Sequence, residues 1–349
     1  MKKKMFLAFL ALVVILLAGL LIQHQSSFLY SDPVMKVEEA KIDTAENRQQ
    51  IKGRMLNTNE AITLEEVYYK NEGVSPAYQK GDQLILQKQG GRWQVLSLKR
   101  DGYVFILLGI FAWVVLLISG RKGIYALMGL GLNSLLLVLF LWIHLNNRNL
   151  PLLFLMTIYT ILAVLIAMGT SYGFKSLDLR KIIGTLLSVF TAFLICLFAM
   201  NQFSDNGLWF EEMQFVTRPY RSVFLAGLLI GAIGASMDNI VTIISSLDEI
   251  QVKNQQLSVK QLVHSGQKIA QDTASSMINV LMFAYLSGAI PSFVFYLANG
   301  WNFSDIFGLH LSLEILRAIC GGFAIVLSVP IALAAFIVAD NLKQRRKAK

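Results

Sequence analysis

Cysteine is almost absent from this chain: two residues in 349, Cys196 and Cys320, each inside an apolar run. That excludes a disulfide-stapled scaffold and any CxxC metal site, and it assigns both thiols to apolar packing. Charge is scarce too, at 15% of residues, whereas 55% are hydrophobic. One or two soluble cores cannot hide that much apolar surface, so a lipid bilayer is expected to receive the excess. The histidines, His24, His144, His264 and His310, are too scattered to build a metal site. No GxxxxGK[ST] loop, HExxH motif or nucleophile elbow occurs, which leaves ATP-driven pumping and familiar metallohydrolysis without machinery. The residues therefore give no reason to expect an enzyme, a cofactor or a bound metal. The net charge of +9 is spread over the ends of apolar runs instead of gathering on one face, so nucleic acid is not an expected partner.

What the chain does have is a succession of long uncharged stretches. Met5–Ile22 follows three lysines, exceeds the roughly 7 to 15 residues of a signal core and lacks an A-x-A cleavage pattern, so residues 1–22 read as an uncleaved anchor. Residues 23–101 are polar, with β-branched and aromatic segments near 34–42, 48–56, 61–69, 82–88 and 92–98, separated by turn signals such as Gly90-Gly91. A small β-rich domain is expected there; its strand spacing suits an OB-like barrel and equally a sandwich. Its basic and acidic residues balance, which argues against polyanion binding.

Apolar runs resume near 103–119, 124–145, 151–170, 182–200, 222–244, 274–298 and 316–338, each close to the ~20 residues that cross a ~30 Å hydrocarbon layer. With the first they make about eight spans. The fold expected is mainly α: a polytopic helical membrane protein with a seven-helix domain over 102–342, a basic tail over 343–349 and the β domain between spans one and two. Lys2–Lys4, Arg121, Lys122, Lys175, Arg180, Lys181, Lys253, Lys260, Lys268 and the basic tail fall on one side, against Arg148, Arg218, Arg221 and Arg317 on the other. The positive-inside rule then places both termini in the cytosol and the β domain outside it. The loop Asn201–Arg221, with Trp209, Glu211, Glu212 and Arg218, is expected at the outer interface, anchored by its aromatics.

An ionisable group inside hydrocarbon is costly and so marks a candidate site. Asp238 is the clear case. Gly227, Gly231, Gly234, Asp238, Thr242 and Ser245 share one helical face. Glycines at that spacing serve helix packing, but the carboxylate is not something packing requires. Asn279 in the next span is expected ~8 to 9 Å deep, level with Asp238, with Ser275 and Ser276 one turn away. That arrangement suits either an interhelical hydrogen bond or an ion or proton site. Between these spans, Ser258-Val-Lys-Gln261 is a capping box. It should open an amphipathic helix at the membrane surface, with Val259, Leu262, Val263, Gly266, Ile269 and Ala270 opposite Lys260, Gln261, His264, Lys268, Gln271 and Asp272. Lys268 and Asp272 are the candidate cytosolic gate, or simply a surface pair. Gly288, Pro291 and Pro330 favour bent helices.

The run GAIGASMDNIVTIISSLDEI at 231–250, followed by SGQKIAQD at 265–272 and SMINVLMFAYLSG at 276–288, resembles the YibE/F family of bacterial membrane proteins. The resemblance covers the multispanning part from about 103 onward and is closest to the longer, ectodomain-bearing YibE-like members. It implies the bacterial cell membrane as location and a companion YibF-like paralogue lacking the ectodomain, with a homo-oligomer as the alternative. It implies no catalytic residues. Two functions are expected from different classes: permease-like movement of a small solute or ion with Asp238 as the intramembrane site, or a non-transporting scaffold or accessory subunit whose ectodomain engages an envelope partner.

Overall fold

The computed structural model describes residues 2–24, 30, 32–44, 46–56, 58–68, 76–147, 149–173, 177–210, 219–254 and 256–347. The chain divides into two compact units, Met1–Ile124 and Tyr125–Lys349.

The first unit joins two apolar helices to a sheet. Helix α1 (Lys2–His24) precedes five strands, β1 (Val34–Asp43), β2 (Arg48–Met55), β3 (Ala61–Val67), β4 (Gln83–Gln89) and β5 (Arg92–Leu98), and α2 (Asp101–Ser119) follows them. The sheet is antiparallel in the order β3-β2-β1-β4-β5. Alternation along β2 buries Gln49, Ile51, Gly53 and Met55 on one face, and Ile51 and Met55 join Met35, Val37, Leu64, Leu84 and Leu86 in a small core. Gly90 and Gly91, both at positive φ, make the two-residue β4–β5 hairpin turn. The barrel expectation is corrected. At the edges, Val95 N–H donates to Glu66 Oε1 at 3.0 Å, but no strand ladder joins β5 to β3 and the sheet is not closed.

Where the sheet meets its helices, a lysine is buried. The Lys99 side chain is 0% exposed; its Nζ donates to Ile22 O at 2.8 Å, Gln23 O at 2.7 Å and Gln83 Oε1 at 3.2 Å, with Asp101 Oδ1 at 3.6 Å. It thus satisfies carbonyls at the C-terminal end of α1, where a cation is favoured. Burial lowers the lysine's pKa and the Asp101 charge partly restores it. Gln23 completes the knot, donating to Lys99 O and accepting from Gly102 N–H. Gly102 has to be glycine here, because a Cβ would lie 2.5 Å from Gly19 O and 2.6 Å from Gln23 Cβ.

The second unit is helical. It holds α3 (Arg121–Asn146, whose first turn belongs to the first unit), α4 (Leu152–Tyr172), α5 (Leu179–Gln202), α6 (Tyr220–Lys253), α7 (Val259–Ala298), the short α8 (Phe303–Ile306), a π-helical turn (Phe307–Leu311) and α9 (Ser312–Lys347). Among the described residues seven helices, α2 to α7 and α9, are long and apolar enough to cross a membrane. The apolar stretch Phe9–His24 of α1 falls short of that length. Helix α6 is the hub, packing against α4, α5, α7 and α9. Its buried side, including Phe224, Leu228, Leu229, Ala232, Ile240, Ile243, Ile244 and Leu247, runs through two apolar clusters.

The expected surface helix before span seven is also corrected. The capping box forms, with Ser258 and Gln261 bonded reciprocally. From there α7 runs unbroken for 40 residues, Pro291 included. The apolar side of its first turns packs on protein: Leu262 and Ala270 belong with Leu247, Ala332, Leu333 and Phe336 of α6 and α9. Protein contacts take the place of the lipid surface because α6 and α9 extend as far as α7 does. Pro330 likewise sits inside the continuous α9.

Candidate functional site

Polar groups in the helical unit fall into two sets, separated by which side of α6 they occupy. The first set is closed. Asn239 is fully buried; its Nδ2 donates to Ile325 O at 3.1 Å and Ser328 Oγ at 2.7 Å, and its Oδ1 accepts from Thr273 Oγ1 at 2.9 Å. One turn away the buried hydroxyls of Ser236 and Ser188 bond to each other. These contacts tie α6 to α5, α7 and α9, with both amide hydrogens of Asn239 donated and only one lone pair of its Oδ1 left over.

The second set is open. The Asp238 side chain points the other way, is exposed, and takes no hydrogen bond or ion pair from a described residue. Its place in α6 differs from the sequence expectation. The helix continues to Lys253, so the carboxylate lies deep along a rod roughly 50 Å long, not near its end. Around it, Thr242 Oγ1 donates to Asp238 O at 2.7 Å. A Cβ added to Gly234 would meet no atom within 4 Å, so the face beside Asp238 is open space.

Asn279, Ser275 and Ser276 of α7 are all exposed, and Asn279 makes no side-chain hydrogen bond with a described residue. The contacts Asn239–Thr273 and Gly231–Tyr285 fix how α6 and α7 run past each other. In that register Asp238 is level with Ala274 and Ser275, and Asn279 is more than one turn farther along. The structure therefore does not pair Asp238 with Asn279. Lys268 and Asp272 are exposed and form no ion pair with each other.

Toward the C-terminal end of α6 the open face becomes charged. Lys181 Nζ donates to Ser245 Oγ at 2.7 Å and sits 4.9 Å from the centre of the Tyr172 ring. Beyond it, Arg180 bridges two carboxylates, reaching Asp178 Oδ2 and Asp248 Oδ2 at 2.7 Å each. Burial alone would raise the Asp178 carboxyl, but the Arg180 hydrogen bonds and charge, with Lys181 behind them, hold it below its ordinary value. Met168, Tyr172, Leu177, Asp178 and Lys181 line a cavity of about 190 Å³ at this end.

The opposite end of the same face is also polar. Arg317 pairs with Glu314 and lies 5.3 Å from the Phe224 ring and 6.0 Å from the Tyr285 ring. A Cβ on Gly227 would meet Arg317 Nε at 4.0 Å, whereas one on Gly231 would collide with the Tyr285 hydroxyl. Of the loop after α5, Arg221 Nε reaches Asp205 Oδ2 at 2.7 Å. Glu211, Glu212 and Arg218 lie outside the described residues.

The buried amide of Asn239 lies beyond the sequence expectation, and the signal for it is helical spacing: Ser236, Asn239 and Ile243 share the buried side of α6. Arg317, Glu314 and Tyr285 were missed because no sequence spacing links α7 to α9.

A family profile described as YibE/F-like protein matches residues 107–340. No curated protein and no solved structure matches the chain.

Proposed function

Because this chain belongs to the YibE/F-like family, we propose that it is a multi-pass membrane protein that moves a small solute or ion along the open face of α6, with Asp238 as the binding group. The observation that carries the reading is the exposed, unpartnered Asp238 carboxylate deep in an apolar helix. In lipid such a group is expensive, so it needs water, a cation or a proton beside it. The charged groups at either end of the face are matched within themselves, Arg317 by Glu314 and Arg180 by Asp178 and Asp248. The uncompensated charge at Asp238 therefore favours a cationic cargo. From Gly227 to Asp248 the face is ~30 Å long, comparable to the hydrocarbon thickness.

The distribution of lysine and arginine supports both termini in the cytosol of a bacterial cell and the β sheet on the far side. The reading assigns no chemical conversion and no cofactor to the chain, and lipid is its immediate partner.

The test is the solute and metal content of cells with and without the gene, followed by the same comparison with Asp238→Asn. The carboxamide variant should reach wild-type abundance in the membrane and behave as if the gene were absent. Retention of wild-type content by that variant would sink the reading.

A second reading is favoured by a different observation: within α7's most apolar window no residue is buried. If a second membrane chain, a YibF-like paralogue or another copy, covers α7 and the glycine face, the protein is a scaffold or accessory subunit. Asp238→Asn would then lower complex recovery on co-purification and leave solute content unchanged.

A further inference from the structure

Between the Glu314–Arg317 pair and Asp238 the open face of α6 is interrupted by one side chain. The Tyr285 hydroxyl of α7 rests on Gly231 so closely that no other residue type fits there with the ring in place. The hydroxyl makes no hydrogen bond with a described residue, so it is not held there by a polar partner. On one side of the ring is the Arg317 guanidinium, 6.0 Å from its centre. On the other is the empty space at Gly234, where a Cβ would touch nothing within 4 Å, and beyond it Asp238. The polar face that runs from Ser245 through Thr242 and Asp238 is thus open at Gly234 and filled at Gly231.

We propose that Tyr285 is the gate of the translocation path, its ring seated in the notch at Gly231, with Glu314 and Arg317 forming the polar station outside it. The assignment rests on the reading of the α6 face as a path. A glycine at 231 is required because the ring crosses the helix there, and swinging the ring off α6 joins the outer station to the space at Gly234. The cation–π contact with Arg317 is made with the ring seated, and it helps to hold the ring there, since a guanidinium facing an aromatic ring is favourable in a water-poor setting. Arg317 bound to Glu314 leaves most of its N–H groups available to an approaching ligand or water.

The experiment uses the full chain carrying Gly234→Cys, with Tyr285 intact or replaced by Ala, in right-side-out and inside-out membrane vesicles. The probe is a membrane-impermeant cationic methanethiosulfonate. The wild-type chain supplies the blank, because Cys196 and Cys320 are 2% and 0% exposed. With Tyr285 present, the introduced thiol should be modified only in inside-out vesicles, which expose the Lys181–Ser245 end. With Tyr285→Ala, modification in right-side-out vesicles should rise at least ten-fold. Should that variant fail to elute as a folded species, Tyr285→Leu, which keeps apolar contact but not the length of the ring, carries the same expectation. An unchanged rate from the outer side, or a fast one with Tyr285 intact, overturns the gate while leaving the path standing. No modification from either side in any variant overturns the path, and the gate with it.

Discussion

Asp238 and Asn239 are consecutive residues on one helix, and the structure treats them in opposite ways. Asn239 turns inward and is tied to two helices, α9 through Ile325 O and Ser328 and α7 through Thr273, while Asp238 turns outward to open space. A step of one residue is a rotation of about 100° around α6, enough to separate a closed polar set from an open one. The difference teaches how to read polarity within an apolar bundle: a satisfied amide holds helices together, and an unsatisfied carboxylate calls for something the protein does not itself supply.

The comparison can be broken by stability measurements on detergent-solubilised protein. The largest loss is expected for Asn239→Ala, which removes the hydrogen bonds that join α6 to α7 and α9 and leaves a cavity; the cost should be about 2 to 3 kcal/mol, read as a lower midpoint of thermal unfolding. An effect below ~0.5 kcal/mol would deny the closed set its structural role.

Next come the two glycines on the open face. Gly231→Ala should cost about 1 to 3 kcal/mol by overpacking against Tyr285. Gly234→Ala, with no atom within 4 Å of the new methyl, should be neutral or slightly stabilising, since alanine favours helix. Equal losses at both positions would show that the face is covered along its whole length.

Acid titration gives a smaller, conditional effect. Asp178 is held below its ordinary value near 3.8, so the stability it adds is complete above that value and is lost as pH falls through the lower, folded value. The midpoint of wild-type protein should therefore fall more steeply than that of Asp178→Asn below about pH 4. Identical acid limbs would remove the Asp178–Arg180–Asp248 bridge from the account.

The smallest change is expected for Asp238→Asn and Lys268→Ala, both within ~0.5 kcal/mol of wild type, because neither side chain has a hydrogen-bond or ion-pair partner to lose among the described residues. A large destabilisation by Asp238→Asn would move that residue from the open set to the closed one.

The five strands were legible because alternation and turn residues are local signals; β1, β2, β4 and β5 begin and end within a residue of their expected limits. Whether the sheet closes was not, since that depends on how β3 and β5 meet. The apolar helices were equally legible, but not their lengths: α6 and α7 continue through polar residues because neighbouring helices bury their continuing stripe at Leu247 and Leu262. In the candidate site, Asp238 and the glycine face followed from helical spacing. The expected Asn279 partner did not, because register between two helices is set by tertiary contacts such as Asn239–Thr273. The Tyr285–Arg317 contact joins residues of separate helices and leaves no trace in any window of sequence.

The buried Lys99 has a mechanical consequence. Two helix-end carbonyls and a strand glutamine grip one ammonium, so the sheet cannot swivel at the point where β5 passes into α2. The sheet is then a rigid extension of the α1–α2 hairpin, and a load applied to it is transmitted as torque on both helices instead of being absorbed by a slack tether. A pull on the sheet therefore tilts both helices together.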